Sequence, residues 1–360
     1  MNNKYFWGSG SPNGFFSCTD FNKNYDGGYT YILKGGPGTG KSSLMKSVAE
    51  FMEENDISCD RYFCSSDPDS LDAVVFPSLR VKILDGTSPH IADPIYPGAA
   101  DEIINLGECW NTDFLNMNKE KIIEITDRNR EYHEKSKRFN ASAFSLYDDG
   151  EKICQYCLDK EKIRRYASRA ATKRIKRLSS KIGREDKRLI EAISPQGFLF
   201  MKDTILENCN EIILLKDDFG AASSVFLEEI RNYALASGYD IIVSPSVKGD
   251  KSIRHIIIKE LSIGFISEDI FMKPDIIPSR IIYLSRFYDS EKLKNHKVRL
   301  RFLKNASKEL MDEAVSALKQ AKKIHDELEN LYIEAMNFDM LNDIAENLKN
   351  RIWKSEWFTE

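Results

Sequence analysis

The stretch Tyr31-Ile-Leu-Lys-Gly-Gly-Pro-Gly-Thr-Gly-Lys-Ser-Ser43 leaves this chain few folds to choose from. A short apolar run leads into a turn holding Gly35, Gly36, Gly38 and Gly40, and a helix begins at Lys41. Gly35, Gly40, Lys41 and Ser42 satisfy G-x-x-x-x-G-K-[ST], the Walker A pattern of a P-loop. The residue types follow from the chemistry. Glycines let bare backbone N–H groups approach a polyphosphate, and the helix directs its positive end at the same anion. Gly35, Gly36, Pro37, Gly38, Thr39, Gly40, Lys41, Ser42 and Ser43 are therefore the expected nucleotide site. Within it, Lys41 reaches the β- and γ-phosphates and Ser42 ligates Mg²⁺. No N-K-x-D guanine-reading motif follows a strand, so ATP with Mg²⁺ is the expected ligand.

At 360 residues the chain is long enough for two domains, and 42% hydrophobic with 30% charged residues describes an ordinary soluble protein. The net charge of −4 gives no global case for nucleic acid. Neither a signal-peptide core nor a membrane-length apolar run is present, and seven irregularly spaced cysteines argue against a disulfide framework. The expectation is a cytoplasmic protein with no membrane partner.

Residues 1–28 read as loop, with one short helix near 17–21. The helix after the glycine turn spans about 41–54, with Leu44, Val48 and Phe51 on one face. A strand is expected over 57–64, ending in an acidic turn that carries Asp67, Asp69 and Asp72. Arg80-Val-Lys-Ile-Leu-Asp85 has the Walker B form, an apolar strand whose terminal carboxylate, Asp85, holds the metal shell. Gly86 stands where many P-loop ATPases carry a water-activating glutamate, which points to slow hydrolysis or to transfer to another acceptor. Lys41 and Asp85 are the expected catalytic residues, and Ser42 with Asp85 the expected metal ligands. The general base stays open among Asp67, Asp72 and His90. His90 follows the strand end where ligands of α/β sheets gather, and reads either as functional or as a structural histidine.

From residue 111 the texture turns helical and charged. Phe139, Ala143, Leu146, Gly150, Ile153 and Cys157 alternate spacings of four and three. Residues 160–188 hold thirteen Lys and Arg against three acids, a surface for nucleic acid or an acidic partner, or else a solvated helix face. Cys154 and Cys157 form a lone C-x-x-C inside the helical seam, which reads as packing.

The second half echoes the first. Ser194-Pro-Gln-Gly-Phe198 repeats Ser11-Pro-Asn-Gly-Phe15, and a shift of 182 positions aligns residues 31–85 with 213–267 without a gap. Leu44, Val48 and Phe51 then meet Phe226, Ile230 and Tyr233. The echo fails where chemistry is expected. Gly35, Gly36, Gly40 and Lys41 become Asp217, Asp218, Ala222 and Ser223, and Asp85 becomes Ser267. Two carboxylates oppose a bound anion, so the second half is expected to keep the fold, lose the site and brace the first half, with Arg280 or Arg286 facing it. The expected architecture is α/β: tandem P-loop NTPase-like three-layer α/β/α cores at 1–110 and 191–290, each followed by a long helical hairpin, at 111–190 and 291–360.

With Gly-Gly-Pro-Gly-Thr-Gly-Lys-Ser-Ser at 35–43, Asp67-Pro-Asp-Ser-Leu-Asp72, Asp85-Gly-Thr-Ser-Pro-His90 and Asn105-Leu-Gly-Glu-Cys-Trp110, the chain resembles a family of uncharacterised bacterial proteins built of two NTPase-like halves. The resemblance implies the fold and ATP binding over nearly the whole length, and no substrate. Members often keep Walker A in both halves, and the decayed second loop departs from that. Three functions stay open: an ATPase coupled to a protein partner through its helical hairpins, a phosphotransferase with a small acceptor, and a nucleotide-gated module without turnover.

Overall fold

The computed structural model describes residues 2–19, 21, 28–250 and 252–354. The first half of the chain contains β1 (Lys4–Phe6), β2 (Ser9–Ser11), β3 (Gly14–Phe16), β4 (Tyr29–Lys34), α1 (Lys41–Glu54), β5 (Asp60–Phe63), β6 (Leu71–Phe76), β7 (Val81–Asp85), β8 (Asp101–Asn105), α2 (Thr112–Met117) and α3 (Lys119–Cys157). The second contains α4 (Lys160–Arg174), β9 (Glu185–Lys187), β10 (Glu191–Ser194), β11 (Gly197–Phe200), α5 (Lys202–Asn208), β12 (Glu211–Lys216), α6 (Ala221–Ala236), β13 (Ile241–Pro245), β14 (Ile253–Ile258), β15 (Ile263–Glu268), β16 (Arg280–Tyr283), α7 (Ser290–Ala335) and α8 (Phe338–Trp353). The chain is mixed α/β. Among the described residues no helix is long and apolar enough to cross a membrane.

Two six-stranded sheets dominate. Their orders are β1-β5-β6-β7-β4-β8 and, read from the other end, β9-β13-β14-β15-β12-β16. Both are parallel except where β6 or β14 runs against its neighbours. The registers correspond as well: Tyr29 faces Val81 and Glu211 faces Ile263. An irregularity between Tyr62 and Phe63 recurs between Ser244 and Pro245. β4 and β12 bury their four central residues on both faces, as strands covered on each side must.

The chain divides into two compact units that are not consecutive in sequence. The first holds residues 1–7, 20–135 and 317–360, the second 8–19 and 136–316. This departs from the four successive segments read from sequence. α8 joins the first unit, where Leu341, Ala345, Leu348 and Ile352 enter the apolar core around α1. α4 does the same in the second, setting Ile163, Ala167 and Ala171 into the core around α6. Nor does either long helix fold back on its own continuation. In the first unit α3 meets α7 through Asn129 Nδ2, which donates to the Ala321 carbonyl at 2.7 Å, and through Ile125, which clusters with Ile324 and Leu328. In the second they meet where Tyr156 lies edge-on to His296. The buried stripe of α3 runs through Asn140, Ala143, Tyr147, Gly150, Cys154 and Cys157, so it shares three positions with the four-three seam and sits to one side of it.

The region read as loop at the N-terminus contains β1, which pairs in parallel with β5, and the β2–β3 hairpin. The short helix near 17–21 falls partly outside the described residues, and 17–19 carry no regular element.

Candidate functional site

In the first unit β4 ends at Lys34, the glycine turn follows, and α1 begins at Lys41. Gly38 (φ +67°) and Gly40 (φ +78°) are left-handed, a conformation that costs L side chains and not glycine. Both are also closely covered. A Cβ on Gly38 would lie 2.6 Å from the Glu329 carbonyl oxygen of α7, and one on Gly40 2.4 Å from Leu341 Cδ2 of α8. The Tyr332 ring lies over Gly36. Gly40 occupies the N-cap of α1 without a side-chain cap, and the first turn carries no acid. A helix start of this kind leaves its amides for an external acceptor.

Lys41 and Asp85 meet at this turn, and Ser42 follows Lys41 in the first turn of α1. Leu33 pairs with Asp85 across β4 and β7, which brings the carboxylate to the turn. Lys41 Nζ donates to the carbonyls of Gly35 (2.9 Å) and Gly36 (2.7 Å) and lies 3.6 Å from Asp85 Oδ2. Their side chains are only 12% and 14% exposed. Asp85 Oδ1 accepts from the Thr87 N–H (2.9 Å) and hydroxyl (2.6 Å). Ser42 Oγ accepts the Leu71 N–H at 3.0 Å, and Thr39 Oγ1 braces the turn by donating to the Gly36 carbonyl. Pro37 lies in the turn between β4 and α1, and Ser43 lies in the first turn of α1.

Two of the three base candidates pair with each other. His90 Nε2 lies 2.9 Å from Asp72 Oδ2, with the two side chains 5% and 9% exposed, and the imidazole stacks on Trp7 at 4.3 Å. Burial pushes the Asp72 carboxyl up from its ordinary value, with His90 opposing and Asp85 adding to the rise. Asp67 accepts from the Ser70 hydroxyl at 2.6 Å and lies 3.5 Å from Lys322 of α7. Asp69 gives its carbonyl to Lys46.

Sequence reading missed Glu329. Its carboxylate sits 3.5 Å from His325 Nε2, and its backbone carbonyl lies over Gly38. The His325 hydrogen bond holds it below the ordinary glutamate range, burial opposes, and Lys322 and the Gly38 amide reinforce the lowering. α7 thus packs over the turn at Gly38 and sets a carboxylate-bearing residue beside it. The only local signal was the helical seam next to it, because Glu329 lies some three hundred residues from the turn.

The corresponding turn of the second unit is filled from within. Asp217 Oδ2 accepts the N–H groups of Ala222 (2.7 Å) and Ser223 (2.8 Å) at the start of α6, and Tyr288 donates to Oδ1 at 2.7 Å. Arg254 precedes the His255–Ile266 pair as Asp72 precedes Ala73–Leu84, so a cation stands where the first unit has a carboxylate. Arg254 Nε donates to Glu191 Oε1 (3.2 Å), and its Nη1 lies 3.1 Å from Asp269 Oδ2. Lys248 in the same recess meets Asp148, Glu151 and Asp250 within 3.0 Å. Arg286 stacks on Tyr166 (4.3 Å) and Phe287, and Arg280 donates to the Tyr166 hydroxyl, so both engage groups of their own unit. Cys154 and Cys157 are free, buried thiols inside α3.

Comparisons with protein-family models, with curated proteins and with solved structures returned no match.

Proposed function

We propose that this chain is an ATP-binding, Mg²⁺-dependent P-loop NTPase of slow turnover, with one working site in the first unit. In this reading the two units are copies of one core, and the second has replaced its ligands with its own side chains. One observation carries it: Lys41 meets Asp85 beneath a turn shaped by two left-handed glycines, with Ser42 next in line at an uncapped helix start. The resemblance to proteins with two NTPase-like halves supports the same reading.

The donor set fits magnesium. Ser42 and Asp85 offer a hydroxyl and a carboxylate, the hard oxygen ligands that suffice when phosphates and water complete the shell. Bound there, the ion would neutralise phosphate charge. The chain's own groups do the rest. Amides from Gly36 to Lys41, Pro37 excepted, orient the phosphates, and Lys41 offsets charge on the transferred group. Slow turnover follows from Gly86 after Asp85 and from the engagement of the base candidates, since Asp72 and His90 are buried together and Asp67 is tied to Ser70 and Lys322. The same engagement weighs against an acceptor-dependent phosphotransferase.

Phosphate release from MgATP without an acceptor tests the reading. Slow release that Asp85→Asn abolishes supports it. Release only with an added acceptor would select the phosphotransferase, and binding without release the gated module.

Because the Glu329 carboxylate adds negative charge beside the turn where the triphosphate would lie, Glu329→Ala should tighten MgATP binding by roughly severalfold. Fluorescence titration with a labelled ATP analogue measures this. Weaker binding in the variant would show that Glu329 supports the turn and does not compete for it.

A further inference from the structure

Charge is divided between the two units. The first carries nineteen Lys and Arg against thirty Asp and Glu, and the second thirty-three against twenty-six, so a chain of net −4 contains a strongly acidic unit and a basic one. Such asymmetry is characteristic of proteins that meet polyanions. The excess is concentrated on α4 and the segment after it.

α4 presents two opposite faces. Ile163, Ala167 and Ala171 are wholly buried in the core of the second unit. Arg165, Arg169 and Lys173 are each displaced two residues from that stripe, about 200° around the helix, and are exposed. Each step of four residues advances about 6 Å and turns about 40°, so the three cations form a short, gently winding row along the outward side. Lys176 and Lys181 extend the basic surface beyond the helix. A solvated face ordinarily interleaves both signs, as where Arg184 pairs with Asp240. Here, among the described residues, none of the five has a carboxylate within ion-pair distance. The exposed Ser168 and Thr172 between the row's members are short enough to let a ligand close on the cations.

We propose that the outward row on α4 is a docking surface for the phosphate backbone of duplex DNA, bound without sequence preference. The charge complementarity is specific in form: a rigid row of closely spaced cations suits the dense row of phosphates along a duplex strand, and arginine donors match phosphate geometry. The Thr172 hydroxyl is turned back onto the Ser168 carbonyl, so the long cations of the row would meet the phosphates first. The exposed Leu178 and Ile182 follow the row, which makes an anionic bilayer the competitor to exclude.

The test uses the full chain and a fluorescein-labelled duplex of two helical turns, read by polarisation between about 50 and 200 mM salt. Wild type should bind at low salt and weaken steeply as salt rises. Arg165→Glu/Arg169→Glu/Lys173→Glu should lose at least about tenfold in affinity and flatten the log–log salt slope by roughly three, one unit per phosphate contact. Its melting temperature should stay at the wild-type value, because the three side chains are exposed and outside the core. Reversal of the exposed Lys119 and Lys121 in the first unit should leave binding intact. No binding by wild type, an unchanged slope in the triple variant, or preferential capture by phosphatidylglycerol vesicles over the duplex would overturn the proposal. The binding is measured without nucleotide, so it stands or falls apart from the ATPase reading.

Discussion

Arg254→Ala should destabilise the second unit by about 3–5 kcal/mol, the cost of stranding buried charge. Arg254 is 6% exposed and Glu191 1%, so neither can recover its hydration when the other is removed. Burial alone would raise the Glu191 carboxyl, yet Arg254 and His255 outweigh it and hold Glu191 at about 2. Asp269 would keep the Tyr147 hydroxyl and the amides of Phe271 and Met272, and Glu191 only His255, whose own protonation is disfavoured by burial. The sign of the pH dependence follows. A carboxylate lowered on folding stabilises the fold above its ordinary value of 4.5, and that contribution disappears as pH falls towards about 2. Urea unfolding across that interval should show a decline in wild type that is much smaller in Arg254→Ala, where the stabilisation is already missing at neutral pH. Equal stability of the two proteins at pH 7 would show that the network is solvated.

Leu341→Ala should cost about 2–5 kcal/mol, the range for truncating a buried leucine that leaves a cavity. The side chain is 5% exposed, packs with Ala345, Leu348 and Ile352 against α1, and lies directly on Gly40. Its loss should therefore lower the melting temperature and also loosen the glycine turn, weakening nucleotide binding. A full-stability variant with normal binding would mean that α8 is dispensable to the site.

These two effects lie in parts of the molecule that were unequally legible from sequence. The turn from Gly35 to Ser42 was readable because its chemistry is local: glycines, lysine and serine at fixed spacing on a strand-to-helix junction. Asp85 was readable for the same reason, as the end of an apolar strand. The strand read over 57–64 was found shortened to β5, and β1 to β3 were missed, because three-residue strands carry too little alternation to register. The placement of α8 in the first unit, and with it Leu341, was hidden. Its amphipathic pattern says that one face is buried and does not say against which core. Glu329 was hidden likewise, since a carboxylate on a charged helix gains meaning only from the turn it lies beside. In the second half, sequence showed that carboxylates replace glycines. That Asp217 turns back to cap α6 needed the coordinates.

The central claim, one nucleotide site in the first unit and none in the second, is tested most directly by calorimetric titration with MgATP on wild type and Lys41→Ala. The predicted result is one site per chain, weakened roughly ten- to a hundredfold in the variant by loss of a charge-assisted contact. Two sites per chain, or binding unchanged in Lys41→Ala, would contradict it.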